Sequence, residues 1–460
     1  MADIQEKKDT ERMEKIVSLC KRRGFIFQSS EIYGGLNGAW DYGPLGVELK
    51  RNVKEYWWRC MTQLRDDIVG MDGAILMNRA VWRASGHEET FSDPLIDCKT
   101  CKGRFRADQI DSTPCPQKPS KTVATCHGEK TEPRPFNLMF KTYVGPVEED
   151  GNVTYLRPET AQAIFVQFRN VLEVSRKKLP FGIAQIGKAF RNEINPRNFT
   201  FRSREFEQME LEFFVRPEDG FRWLEEWKEL RIRWYEDIGI PRENIIVKTV
   251  SDEERAFYSK GTYDLEYRFP FGVQELEGVA YRTDYDLTQH INASGKPLEY
   301  FDEETKAKFV PHVVEPSAGV DRTVLALLCQ AYAEEEVTDE KGNKETRTVL
   351  RFHPRMAPIK VGVFPLVRNK PDIVAKAREV LELLRPHMRV FYDETGAIGR
   401  RYRRQDEAGT PFGITIDFET LEGDKASGQK DTVTVRDRDS MSQVRVPIAN
   451  LLAHLLPKLA

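Results

Sequence analysis

Two arginine-bearing strings in this sequence could manage a polyphosphate. Arg191-Asn192-Glu193 follows an apolar stretch, Gly182 to Phe190, that reads as a strand, and a polar loop holding Asn195-Pro196-Arg197 leads to Phe201-Arg202-Ser203-Arg204-Glu205-Phe206 on a returning strand. Such a hairpin presents arginines and carboxylates from neighbouring strands, and a planar guanidinium makes paired bonds to phosphate oxygens. A sheet surface crossed by salt bridges would use the same residues, and composition leaves both readings open. Farther on, Arg322 falls in the first turn of an apolar helix running from Gly319 to Tyr332. Small residues before it, Ser317, Ala318 and Gly319, let a ligand approach the backbone, and helix amino termini favour anions.

Four of the seven cysteines, Cys98, Cys101, Cys115 and Cys126, crowd between residues 98 and 126. Cys98-x-x-Cys101 is half of a tetrahedral zinc site, but the spacing of Cys115 and Cys126, with His127 beside the latter, is irregular. A structural Zn²⁺ and free thiols in a surface insertion are both open.

These residues need elements to hold them. From Pro44 the chain reads as a helix, because Pro suits a first helical position and Leu45, Leu49, Val53, Tyr56 and Trp57 recur at spacings of three and four. Residues 95–135 lose periodicity and gain Cys, Pro, Lys and Thr, which marks an inserted loop or small module. Segments 137–144, 153–156, 181–190 and 205–215 suit strands; 218–238 suits a helix whose Trp223, Trp227 and Trp234 pack inward. The charge run Glu334 to Arg347, around Lys341-Gly342-Asn343, is expected to be a solvated turn at a domain border. After Pro358 strands alternate with helices, the signature of a largely parallel sheet covered on both faces. There Arg400-Arg401-Tyr402-Arg403-Arg404 suits either single-stranded RNA or a solvated helix face.

Length and composition bound the function. The 460 residues allow two or three structural units. With 70 Lys+Arg against 73 Asp+Glu the net charge is −3, so any nucleic-acid contact must use a local patch rather than bulk attraction. No window approaches the ~18 apolar residues of a membrane span, and the first residues lack a signal-peptide core. No membrane partner and a cytoplasmic location are therefore expected.

The hairpin resembles motif 2 of the class II aminoacyl-tRNA synthetases, and Gly319-Val320-Asp321-Arg322 resembles their motif 3. The Pro44 helix sits where motif 1, the dimer-interface helix, is expected. Longer strings, Gly24-Phe-Ile-Phe-Gln-Ser-Ser-Glu-Ile-Tyr-Gly-Gly, Asp41-Tyr-Gly-Pro-Leu-Gly, Leu156-Arg-Pro-Glu-Thr-Ala-Gln, Phe206-Glu-Gln-Met-Glu and Glu315-Pro-Ser-Ala-Gly, narrow the resemblance to the homodimeric glycyl-tRNA synthetases.

That resemblance implies an α+β class II synthetase catalytic domain, an antiparallel sheet flanked by helices, over residues 1–350, with the Cys-containing module inserted at about 95–135. A C-terminal α/β anticodon-binding domain would follow over 356–460. The implied enzyme is a homodimeric ATP-dependent glycine–tRNA ligase, using ATP and Mg²⁺, that forms glycyl-adenylate and passes glycine to the 3′ end of its tRNA. The rival is a non-catalytic RNA-binding or polymerase-accessory relative. Arg191 and Arg322 would be catalytic. ATP would further meet Asn192, Glu193, Phe201, Arg202, Ser203, Arg204, Glu205 and Phe206 on the hairpin, Glu275 and Leu276, and Gly319, Val320 and Asp321. Mg²⁺ is expected on Glu275, with Glu277 as a second candidate. Glycine is expected among Arg106, Glu159, Phe206, Glu207, Gln208, Met209, Glu210, Glu315, Pro316, Ser317, Ala318 and Gly319. Zinc on Cys98, Cys101, Cys115 and Cys126 would be structural rather than catalytic.

Overall fold

A computed structural model describes residues 2–338, 342, 344–423 and 427–459. Its centre is a seven-stranded sheet. In spatial order the strands are Ile245–Thr249, Gly261–Phe269, Gly272–Thr283, His312–Gly319, Glu205–Val215, Phe181–Phe190 and Ile68–Gly70. All neighbours run antiparallel except the edge pair of Ile68–Gly70 with Phe181–Phe190. The strands Phe181–Phe190 and Glu205–Val215 pair over their full length, from Phe181↔Phe214 to Phe190↔Glu205. They are buried on both faces at the far end and open to solvent near the hairpin loop. One end of an otherwise packed sheet is thereby left free for a ligand.

Helices cover the sheet as the apolar spacing requires. Pro44–Trp58 buries Gly46, Leu49, Val53 and Trp57 on one face. A side chain at Gly46 would collide with the Phe25 carbonyl at 1.8 Å, so only glycine lets this helix approach the chain at Phe25, just ahead of the short strand Ile26–Gln28 that pairs with Trp40–Tyr42. Gly220–Asp237 buries Trp223, Trp227 and Trp234 in the main core, and Val320–Ala331 is buried along nearly its whole length. An amino-terminal helix, Ala2–Arg23, which the sequence reading did not identify, packs Ile16, Leu19 and Cys20 into the same core.

The inserted region is folded, not an unstructured excursion. Strands Ser92–Asp97, Arg104–Arg106 and Arg134–Asn137 form a small sheet, Pro114–Cys115 and Lys118–Thr122 form a hairpin, and Ile96, Cys98, Phe105 and Val123 make a local core.

The expected turn over Glu334 to Arg347 is instead a two-stranded ribbon, Tyr332–Thr338 paired with Lys344–Leu350. Lys341 and Asn343 lie outside the described residues. Its charges did not mark a loop because several are spent on packing: Arg347 is buried and bonds Asp406 at 2.9 Å and the Arg438 carbonyl at 2.6 Å.

Beyond it lies a second core built on a five-stranded sheet, ordered Val390–Tyr392, Val361–Pro365, Phe412–Ile416, Thr432–Asp437, Gln443–Pro447. The first three strands are parallel and the last two antiparallel. The expected parallel sheet is thus only half so, because Thr432–Asp437 returns antiparallel to Phe412–Ile416 and Gln443–Pro447, hidden by its polar residues, closes a hairpin with it. Arg400–Arg404 lies on helix Ile398–Ala408, with most of its side chains engaged within the protein. Arg401 is buried and donates to the Gly396 carbonyl, Arg404 pairs with Asp393, Arg403 pairs with Glu345, and the Tyr402 hydroxyl meets Thr415 at 2.6 Å. Only Arg400 of this run is simply exposed.

Candidate active site

At the open end of the large sheet lies one cavity of about 360 Å³. Its walls come from the hairpin loop, four central strands and the segments before and after them. Arg191, Glu193, Arg202, Phe201 and Arg322 line one half; Glu159, Glu210, Arg282, Glu315 and Ser317 line the other.

The cationic half is held by aromatic and carbonyl contacts. Arg191 donates to the Pro158 carbonyl at 3.0 Å, and its guanidinium lies 5.3 Å from the Phe206 ring centre and 5.4 Å from that of Phe91. Arg322 lies 4.4 Å from the Phe201 ring centre, donates to the carbonyls of Phe201 and Glu275, and meets a Glu275 carboxylate oxygen at 3.3 Å. Phe201 meets the stacked rings of Phe269 and Phe271 edge-on, which braces the platform under Arg322. Arg202 faces Glu193 at 3.8 Å. The loop between the arms is closed by an Arg191 N–H bond to the Arg204 carbonyl.

The acidic half converges on Arg282, which the sequence reading missed. Arg282 makes two bonds to Asp286, at 2.8 and 2.9 Å, and one to Glu315 at 2.8 Å, and lies 4.1 Å from the Tyr258 ring centre. Its one available signal was the four-residue spacing to Asp286 at the end of a strand. Glu159 accepts from Gln162 at 3.0 Å and meets His87 at 3.2 Å. Burial works against the Glu159 charge, but His87, Arg282 and the Gln162 amide outweigh it and hold the carboxyl below its usual range. Glu210 accepts from the Thr160 and Ser317 hydroxyls, and burial together with Glu159 pushes its pKa up. Glu315 is pushed up to about 8, by burial first and then by Glu210 and Glu159, against the pull of Arg282. This half therefore has more carboxyl groups than cations to balance them, which suits an arriving ammonium.

Several expected contacts lie elsewhere, and the pleat explains most of them. Side chains alternate across a strand. Gln208, Glu210, Glu315, Ser317 and Gly319 line the cavity, whereas Met209 and Ala318 point into the main core and Pro316 is also turned away from the cavity. Glu207 likewise faces the Pro44 helix, paired with Lys50 at 2.8 Å and Lys54 at 3.0 Å. Val320 is core, while Asp321 reaches the cavity edge but is engaged by Tyr42, Lys50 and the Glu207 N–H. Arg204 binds the carbonyls of Asn37 and Glu193, Glu205 pairs with Lys188, and the Asn192 N–H bonds the Leu138 carbonyl; none of the three lines the cavity. Arg106 is taken by Asp93 at 2.8 Å and Asp108 at 2.7 Å.

For a divalent cation the cavity offers hard oxygen donors. Glu275 and Asp264 both line it, and Asp264 is pushed up to about 6 by burial and by Glu275, as expected of carboxylates aimed at a shared space. Glu277 is not available: it is buried against Arg231, at 2.6 Å.

Among the four cysteines, Cys115 and Cys126 have their sulfurs 3.3 Å apart, and backbone N–H groups of Cys101 and Gly103 point at the sulfurs of Cys98 and Cys101. The four do not gather within one coordination sphere. Among the described residues the side chains that do are Glu210, Glu212 and Glu315.

Comparison with known proteins agrees with this geometry. Residues 140–331 match the tRNA synthetase class II core domain (G, H, P, S and T), and residues 360–457 match an anticodon binding domain. The glycine–tRNA ligase of Treponema denticola is 53% identical over 445 residues, covering 96% of each chain. That of Thermobifida fusca is 52% identical, covering 98% of this chain and 99% of its own, and that of Clostridium acetobutylicum is 53% identical, covering 98% and 100%. With a cavity that joins a cationic wall to an acidic pocket at the end of an antiparallel sheet, and relatives matching from end to end, the chain belongs to the glycine–tRNA ligase family of class II aminoacyl-tRNA synthetases.

Proposed function

We propose that this cavity condenses ATP with glycine to glycyl-adenylate and pyrophosphate, and then passes the glycyl group to the 3′ end of a tRNA with release of AMP. The observation that carries this reading is the continuity of the two halves. A nucleotide on the cationic wall would have its α-phosphate at Arg191, its γ-phosphate side at Arg322 and its adenine against Phe206. The amino acid would lie beside it with its ammonium among Glu159, Glu210 and Glu315.

The chemistry follows from placement. The glycine carboxylate is already ionised at neutral pH, so it attacks the α-phosphorus without a protein base. The P–O bond to pyrophosphate breaks as the carboxylate–phosphorus bond forms, and Arg191 neutralises the charge gathering on the α-phosphate oxygens. Glu275 would hold Mg²⁺, which would supply further neutralisation of the triphosphate charge. The remaining contribution is alignment, which rests on the Phe201 and Phe206 platforms and the Arg282 network. Selectivity for the smallest amino acid must come from gripping the ammonium and leaving no room for a β-carbon.

Glycine-dependent exchange of pyrophosphate into ATP tests this directly. Exchange with glycine and not alanine supports it; nucleotide and RNA binding without exchange would favour a non-catalytic relative, which the retained arginines of the cavity argue against.

The same reading divides the chain into a catalytic unit over 1–350 and an anticodon-binding unit over 356–460, working in the cytoplasm. No helix of the described residues is long and apolar enough to cross a membrane. A homodimer is supported by the loop between strands Ile26–Gln28 and Trp40–Tyr42, where Ile32 and Tyr33 are 88% and 87% exposed near Leu36, an apolar surface that a second copy would cover. Light scattering at twice the chain mass checks it. Zinc on Cys98, Cys101, Cys115 and Cys126 would be structural, and although Cys115 and Cys126 touch and backbone N–H groups point at the other two sulfurs, the four do not share one coordination sphere and so do not fit the metal as they stand. Elemental analysis decides between the metal and free thiols, and a value well below one zinc per chain removes the metal from the scheme.

A further inference from the structure

Behind the acidic half of the cavity sits a carboxyl that no part of the reaction above uses. Glu212 lies on strand Glu205–Val215, has no exposed surface and does not line the cavity. Neither of its oxygens has a hydrogen-bond partner. The register of this strand with His312–Gly319, which runs from Glu210↔Ser317 to Phe213↔Val314, sets Glu212 beside Glu315. Carboxylate oxygens of Glu210, Glu212 and Glu315 all come within 4.8 Å of one another.

An ionised carboxylate in that position would be a buried charge without a donor, the arrangement proteins avoid most strongly. A neutral acid has a proton to give and needs an acceptor. Both oxygens of Glu210 already accept, from Thr160 and Ser317. Glu315 accepts from Arg282 on Oε1, and no described donor bonds its Oε2. We propose that Glu212 is a positioning residue that works as a neutral acid, its carboxyl O–H donating a hydrogen bond to Glu315 and so holding that carboxylate toward the amino-acid ammonium. Burial, Glu315, Glu210 and Asp286 all favour the protonated form of Glu212, and Arg282 alone opposes it. The other groups facing this cluster, Glu159, His87, Tyr258 and, through Gln162, His290, bring no donor to Glu212.

The proposal rests on the assignment of the amino-acid pocket, so its test separates the two. Glu212→Gln keeps the shape, the neutrality and a donor; Glu212→Leu keeps neutrality but loses the donor. In pyrophosphate exchange E212Q should keep its glycine KM within about threefold of the parent, while E212L raises it about tenfold or more, with the ATP KM unchanged in both. The infrared carbonyl band of a protonated carboxylic acid should persist in the glycine-bound protein above pH 8, past the Glu315 titration, and vanish in E212Q. Loss of glycine affinity in E212Q equal to that in E212L, or absence of the band from the parent, overturns the proposal. Glu315→Gln serves as the control. If it leaves the glycine KM unchanged, the pocket assignment itself fails; if it raises KM while E212L does not, only the role of Glu212 does.

Discussion

Arg191 gathers its contacts for a single purpose. It is anchored through Nε to a carbonyl and flanked by two rings, which leaves its terminal nitrogens turned to the cavity. Lysine would supply charge but not the planar pair of donors. Arg191→Lys should therefore lower kcat for pyrophosphate exchange by about 10²–10³, the usual cost of losing a preorganised transition-state donor, with ATP KM little changed. A variant retaining most of its kcat would show that the α-phosphate is neutralised elsewhere.

Glu315 makes a pH prediction. Its pKa rises from 4.5 to about 8 in the folded protein, so between those values the folded state holds a proton that the unfolded chain has released. The contribution of this group to stability is complete below pH 4.5 and is lost as pH rises toward 8. An ammonium in the pocket favours the ionised form instead. Glycine KM should then fall as pH is raised toward 8, by no more than about tenfold per unit, while thermal stability of the ligand-free protein falls in parallel. A flat KM profile would mean that Glu315 is already ionised in the empty site.

At the scale of elements, the strings that identified the family could not say which of their residues face the ligand. Phe206 to Glu210 reads as one block in sequence, yet alternation sends Gln208 and Glu210 to the cavity, Met209 to the core and Glu207 to the Pro44 helix. Asp321 shows what the second face is for. With bonds to Tyr42 at 2.6 Å, Lys50 at 2.9 Å and the Glu207 N–H at 2.7 Å, it ties the Pro44 helix and an adjacent strand to the helix that carries Arg322. Asp321→Ala leaves Lys50 with only Glu207 and frees the Arg322 helix. A loss of about 3–5 kcal/mol is expected in denaturant unfolding, together with a raised ATP KM. A change under about 1 kcal/mol would reduce the cluster to a surface ion pair.

On the scale of the whole molecule, the ribbon Tyr332–Leu350 does more than connect. Arg347 bonds Asp406, Arg436 bonds the same carboxylate at 3.0 Å, and Arg438 reaches back to the Phe352 carbonyl at 2.8 Å. These buried bonds fix the carboxyl-terminal core against the first one. Arg347→Ala should leave glycine-dependent exchange within about threefold, since neither Arg347 nor its partners line the cavity, but lower tRNA charging by about tenfold or more, because both units must hold one RNA in register. Equal loss in the two assays would indicate general unfolding instead.

What the chain determined by itself was local. Apolar spacing located the Pro44 and Gly220 helices and the two long strands of the hairpin, and the motif strings located Arg191, Arg322, Glu159 and Glu315, because those signals are carried by neighbours in sequence. Tertiary structure decided the rest. Arg282 reaches the cavity wall, and Glu212 comes beside Glu315, only when strands distant in sequence lie side by side; Arg401 and Glu277 are engaged by buried partners that sequence order does not reveal. The worth of a charge depends on its dielectric surroundings and on the groups within a few ångströms, and folding, not sequence order, sets both.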